Sequence, residues 1–238
     1  MRNYKRTIKN NKSEAEVKLA LGDWLNALGF EVFDEKRNKN RPQWGVFEVK
    51  NVDRRKKPDL VVCGNLKAAK TLKQGVYVAI EIKPGYKHHD ILDGFDAILE
   101  YFSDYLWGAE YQIEGKPIEI TAFVFATLFS KQGFLFKEER KFKEKSKKVG
   151  PPKIVRGPWD AYPMTFTISR LLWRQKDNLV KRFQLLSGIP KVEKKLRGKL
   201  NPARPIPEIG VLVYHPAAKQ GVLLMLSNNP YHWRFESR

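Results

Sequence analysis

The sequence predicts a mixed α/β fold: a central mixed sheet flanked by helices, followed by a basic C-terminal elaboration. Three observations predict it. β-Branched apolar runs of strand length, LVVC (60–63), VYVAIEIK (76–83) and IEITAFVFATLF (118–129), are too irregularly spaced for repeated βαβ units. Amphipathic helical stretches lie before and between these runs, at 13–29 and 90–107. The net charge of +19 is also unevenly divided, with about +15 in residues 131–205 and only about +3 in residues 1–130. That division separates a core, residues 1–130, from a basic extension, residues 131–238, carrying a helix and a β-hairpin and packed on the core.

In SEAEVKLALGDWLNALG (13–29), Ser13 can cap a helix, with Glu16 three residues on completing a capping box. Val17, Leu21, Leu25 and Leu28 recur at helical spacing, and Gly29 stops the helix. FEVF (30–33) follows as a strand, DEKRNKNRPQ (34–43) as a polar loop, and WGVFEVK (44–50) as another short strand. After LVVC and VYVAIEIK, the stretch DILDGFDAILEYFSDYLW (90–107) carries a broad apolar helical face that includes Ile91, Phe95, Ile98 and Phe102, with Asp90 as its cap and His88 and His89 exposed before it. Residues 118–129 read as one long buried strand. Beyond them KEERKFKEKSKK (137–148) reads as a solvated helix, VGPPKIVRGPW (149–159) as a breaker, 165–188 as a helix, and EIGVLVYHP and QGVLLMLSN as a closing hairpin.

Composition narrows the function classes. The apolar content of 42% suffices for a packed core, and no apolar run approaches the roughly 18 residues of a membrane-spanning helix. MRNYKRTIKNNK is basic but lacks the apolar stretch of a signal peptide. A single cysteine, Cys63, excludes an internal disulfide and a cysteine zinc cluster, so a reduced, cytoplasmic setting is expected. Strong positive charge favours a polyanionic partner, nucleic acid above a membrane surface. Residues 165–188 come closest to a membrane-binding amphipathic helix, but Arg170 and Arg174 interrupt a short apolar face, so no membrane partner is expected.

The chemistry lies in KKPDLVV and VAIEIK. Strand period puts Glu81 and Lys83 on one face and Ile80 and Ile82 on the other. If the two runs are neighbours, Asp59 at the start of LVVC sits near Glu81, with Pro58 fixing the backbone before it. Two carboxylates and a backbone carbonyl make a hard-oxygen site for Mg²⁺, with Mn²⁺ as a substitute. A lysine beside it can position or deprotonate water, or stabilise charge on a phosphate oxygen. The opposing reading is a hairpin with strand-end charges, paired to Lys57 and Lys83. Glu81 argues against that, because a carboxylate inside an apolar run is costly without a partner.

Pro58-Asp59 followed by Glu81-Ile82-Lys83 resembles the PD-(D/E)XK nuclease superfamily, as does the α-β-β-β-α-β order of the first 130 residues. The helix that ends Leu28-Gly29-Phe30, with an acid at its start, is also similar to that family's first helix. The resemblance covers roughly residues 13–130 and implies a restriction-endonuclease-like core. Asp59, Glu81 and the Ile82 carbonyl would hold metal, Lys83 would be the catalytic lysine, and Glu14, or alternatively Glu16, the accessory acid. One departure is the long insertion between the first strand and Pro58, which contains a second Glu-x-Lys, Glu48-Val49-Lys50, with no Pro-Asp before it.

The implied function is metal-dependent hydrolysis of phosphodiesters in DNA, with RNA as a further substrate class, and a homodimer where both strands are cut. The alternative is a nucleic-acid-binding protein of the same fold without activity. Lys143, Lys145, Lys147, Lys148, Lys153 and Arg156, interleaved with Phe142 and Trp159, together with Arg170 and Arg174 on the following helix, are the expected phosphate contacts. Trp173 and Phe183 read as core residues, and Tyr101 as core or rim.

Overall fold

The structure is a computed structural model that describes residues 13–52, 57–64, 76–84, 88–128, 153–155, 163–187, 205–215 and 220–226. Helix α1 (Glu14–Ala27) opens on the anticipated capping box. The Ser13 hydroxyl accepts from the Glu16 N–H, and the Glu16 carboxylate accepts from the Ser13 N–H at 2.7 Å. Such a cap contributes about 1 kcal/mol. Its buried stripe, Val17, Leu21, Trp24 and Leu25, lies against the sheet, each residue contributing roughly 1.5–3 kcal/mol by burial. The helix ends at Ala27 with Leu28 as its C-cap, and Gly29 turns the chain with φ 95°, a conformation that costs glycine least.

The strands follow as β1 (Phe30–Asp34), β2 (Gly45–Lys50), β3 (Leu60–Gly64) and β4 (Tyr77–Lys83). Helix α2 (His88–Leu106) then crosses over to β5 (Glu110–Ile113), β6 (Lys116–Ile118) and β7 (Ile120–Leu128). Strand β8 (Lys153–Val155), helix α3 (Pro163–Ser187), β9 (Glu208–His215) and β10 (Gln220–Leu226) complete the described elements. All ten strands form one mixed sheet in the order β6-β5-β2-β1-β3-β4-β7-β9-β10-β8. The mixed α/β class is therefore as expected. Among the described residues no helix is long and apolar enough to cross a membrane.

Four details depart from the sequence reading, the first being that the stretch 149–159, read as a breaker, contains strand β8. Helix α2 starts at His88, two residues before Asp90, so Asp90 lies in its first turn and does not cap it. The long buried strand read over 118–129 is present as β7, Ile120–Leu128, but Ile118 belongs instead to β6, which returns against β5 as a hairpin. Strand β5 itself was not anticipated. Its turn is Glu114–Gly115, both at positive φ (52° and 74°), the backbone of a two-residue hairpin whose twist matches its strands. Residues 137–148, read as a helix, lie outside the described residues.

The topology sets one end of the sheet apart. Strands β1 and β4 both run antiparallel to β3 between them, and β4, β7 and β9 are mutually parallel. The carboxyl ends of β1, β4, β7 and β9 therefore share an edge with the start of β3, the side of an open α/β sheet where ligands bind. Two apolar layers sandwich the sheet. Leu60, Val62, Val78, Ile80 and Ile82 face α1, whereas Val61, Ala79, Phe123, Phe125 and Val211 face α2 and α3.

Candidate active site

Register creates the site. Strands β3 and β4 pair through Leu60↔Ile80, Val61↔Ala79 and Val62↔Val78. One further step brings Asp59 opposite Glu81, and opposite residues in an antiparallel pair share a face. Lys83 follows two residues on, at the exit of β4. The face is that of α2, since Ile80 and Ile82 pack on the α1 side. Helix α2 approaches this strand closely because residue 94 is glycine: a Cβ there would overlap the Phe125 ring and press on Lys83 Cγ.

Each charged group is held by a specific partner. Asp59 Oδ2 accepts the Ile82 N–H at 2.8 Å, which ties the residue after Pro58 to the middle of the motif strand. Glu81 is buried, with 5% of its surface exposed. Its Oε1 pairs with Lys83 Nζ at 3.0 Å, and its Oε2 lies 3.0 Å from the Tyr101 hydroxyl. That hydroxyl also lies 2.9 Å from the Lys57 carbonyl oxygen, and its single proton serves one acceptor at a time. Tyr101 thus spans both halves of the motif. Lys83 Nζ is 3.2 Å from both oxygens of Glu14, which reaches over the sheet end from the first turn of α1. Glu16 turns back onto Ser13 instead, so of the two acids only Glu14 meets the lysine.

Burial and like charge shape the electrostatics. Asp59 is pushed up to about 7, by desolvation first and then by the Glu81 charge, with the Ile82 N–H and the Lys18 ammonium acting against the rise. Glu81 is also raised, by burial, against the pull of Lys83 and Tyr101. Burial lowers Lys83, but the carboxylates of Glu81 and Glu14 outweigh it and push the ammonium up to about 12. Tyr101 is raised by burial and by Glu81, so its hydroxyl stays protonated as a donor. The result is a desolvated carboxylate pair whose negative charge Lys83, in direct contact with Glu81, and the more remote Lys18 only partly offset.

Such a pair can hold a hard cation. Mg²⁺ retains several waters and needs only one or two carboxylates. Asp59 Oδ1 has no hydrogen-bond partner among the described residues, and each Glu81 oxygen keeps a second lone pair. Among the described residues no three His, Cys, Asp or Glu side chains form a group able to hold a metal by themselves. A bound cation would therefore complete its shell with water and backbone oxygen. Of Ile82, it is the N–H that reaches Asp59.

Beside this centre stands a second ion pair that the sequence reading did not single out. Asp34, buried at the end of β1, accepts from Lys18 Nζ at 2.7 Å, one helical turn after Glu14. Tyr101 was likewise read as core or rim. It lies in the apolar stripe of α2, and its spacing from Ile98 and Tyr105 looks like packing alone, so only the fold brings its hydroxyl to Glu81. Of the expected phosphate contacts, Lys143, Lys145, Lys147, Lys148 and Arg156 lie outside the described residues. Lys153 begins β8 and Arg170 lies within α3, where Arg174 is exposed. No family model, curated protein or solved structure matches this chain.

Proposed function

We propose that the chain is a Mg²⁺-dependent nuclease that hydrolyses phosphodiester bonds in DNA, with a restriction-endonuclease-like core of the PD-(D/E)XK type. The observation that carries this reading is the β3–β4 register, which puts Asp59 opposite Glu81 with Lys83 on the same face. Asp59 and Glu81 would hold the metal, with the Ile82 carbonyl as a further oxygen; when bound, the ion lowers the pKa of a water and offsets charge on the phosphate. Lys83, kept charged by Glu81 and Glu14, is suited to stabilising negative charge that grows on a phosphate oxygen and is not suited to removing a proton. Glu14 orients that ammonium, and Tyr101 orients Glu81. Helices α1 and α2 both begin at this end of the sheet, where the positive ends of their dipoles favour a phosphate.

The test is a cleavage panel of linear duplex, single strand, flap and four-way junction with Mg²⁺ and with Mn²⁺. Cleavage of at least one form, abolished by a chelator, is expected. Binding without cleavage of any DNA or RNA form would replace the reading with that of an inactive nucleic-acid-binding protein.

A further inference from the structure

We propose that the connection between β1 and β2, residues 35–44, is a built surface that grips the sugar-phosphate backbone of the nucleic acid beside the site. The proposal deepens the nuclease reading and rests on it for the identity of the polyanion. Its position comes from topology. Strand β1 ends at Asp34 opposite Leu60, the residue after Asp59, so the connection leaves the sheet at the catalytic edge. Strand β2 then starts alongside the last two residues of β1, at Phe33↔Gly45 and Asp34↔Val46. The connection is thereby folded back on itself at that edge, on the α1 side.

The segment is fixed from within. Asp34 holds Lys18 and, at 3.4 Å, the Asn38 amide. Asn38 also accepts the Asn40 N–H through its side chain and the Arg41 N–H through its carbonyl. The Arg41 guanidinium is bound to both oxygens of Asp23 on α1. Trp44 is buried against Gly22, whose missing Cβ makes room for its ring. Asn38, Arg41 and Trp44 are thus consumed in holding the turn, and Lys36, Arg37 and Lys39, between Asp34 and Arg41, are left exposed. Among the described residues Lys36 has only the neighbouring Glu35, at 4.0 Å, and its side chain is 85% exposed. Arg37 and Lys39 have no acidic partner among the described residues. Cations displayed on an anchored turn lose little freedom on meeting phosphates, and phosphate contacts set the register of a duplex on its protein.

Binding of a short fluorescein-labelled duplex, followed by anisotropy with Ca²⁺ in place of Mg²⁺, separates this proposal from catalysis. In Arg37→Ala/Lys39→Ala the plot of log Kd against log salt should lose roughly one unit of slope per removed contact, with binding weaker by about tenfold at moderate salt. Adding Lys36→Ala extends the loss, whereas Lys116→Ala, on the far edge of the sheet, leaves slope and affinity unchanged. All these positions are exposed, and matching melting curves verify that the variants are folded. An unchanged affinity and slope in the triple variant overturns the proposal even if the wild type cuts DNA. A wild type that binds but never cuts sinks the nuclease reading and leaves the loop to be judged by its slope. A wild type that binds no nucleic acid refutes both.

Discussion

Among the described residues Asp59 carries the clearest pH signature near neutrality. With its carboxyl raised from 3.8 to about 7 in the folded chain, the native state keeps a proton that the unfolded chain has released between those values. Stability from this group is therefore fully present below about pH 4 and lost as pH rises towards 7, the reverse of a salt-bridged aspartate. Asp59→Asn should remove that slope and raise the Tm of the metal-free protein near pH 8, by roughly 2–4 °C per kcal/mol recovered. Thermal melts from pH 5 to 8 without divalent ions check this. Saturating Mg²⁺ should shrink the difference, because a metal binds the ionised form. Tyr101→Phe makes a second residue-scale test. It strips a buried carboxylate of a hydrogen bond and should cost about 1–3 kcal/mol in urea unfolding, together with a higher Mg²⁺ requirement for cleavage. Glu81 and Lys83 were legible in the sequence because strand periodicity sets their common face, whereas Asp59 joins them only through the pairing of β3 with β4, which the sequence left conditional. Tyr101 was not legible, since a tyrosine in an apolar helical stripe gives no sign of where its hydroxyl ends.

Among the elements, α2 is the one whose position decides the geometry of the site. It lies close enough to β4 and β7 that residue 94 has no room for a Cβ beside Phe125 and the Lys83 stem. Gly94→Ala should therefore destabilise the fold by about 1–3 kcal/mol, despite the higher helix propensity of alanine, and reduce cleavage by shifting Lys83. Urea unfolding and initial rates, taken together, measure both effects. Helix α1 was readable to the residue at its start because a capping box is a local signal spanning four positions. The β5–β6 hairpin was passed over although Glu114–Gly115 marks its turn. The flanking EYQI and KPI are too short and too polar to show alternation, and β5 exists because β2 offers it an edge. The close approach of α2 likewise depends on packing between segments far apart in sequence.

Across the whole molecule, the second half continues the sheet of the first. Strand β9 lies parallel to β7, and α3 joins the layer that also holds α2. A buried ion pair ties them: Lys176 on α3 meets Glu208 at the start of β9 at 3.1 Å, with the ammonium 6.0 Å from the centre of the Phe102 ring on α2. Lys176→Met leaves Glu208 buried without this cation and should cost about 3–5 kcal/mol, much of it recovered in Lys176→Met/Glu208→Leu. Chemical denaturation of the two variants checks it. Composition foretold the basic character of this half but not its attachment, since pairing of β9 with β7 spans about eighty residues of chain with no local mark.

The central claim is that Asp59 and Glu81 together support metal-dependent phosphodiester hydrolysis, and nicking of supercoiled plasmid tests it most directly. With Mg²⁺ the wild type should convert the plasmid to nicked and linear forms, while Asp59→Ala and Glu81→Gln leave it supercoiled yet still bind it. Cleavage by either variant at the wild-type rate, or no nicking by the wild type in Mg²⁺ or Mn²⁺, would contradict the claim.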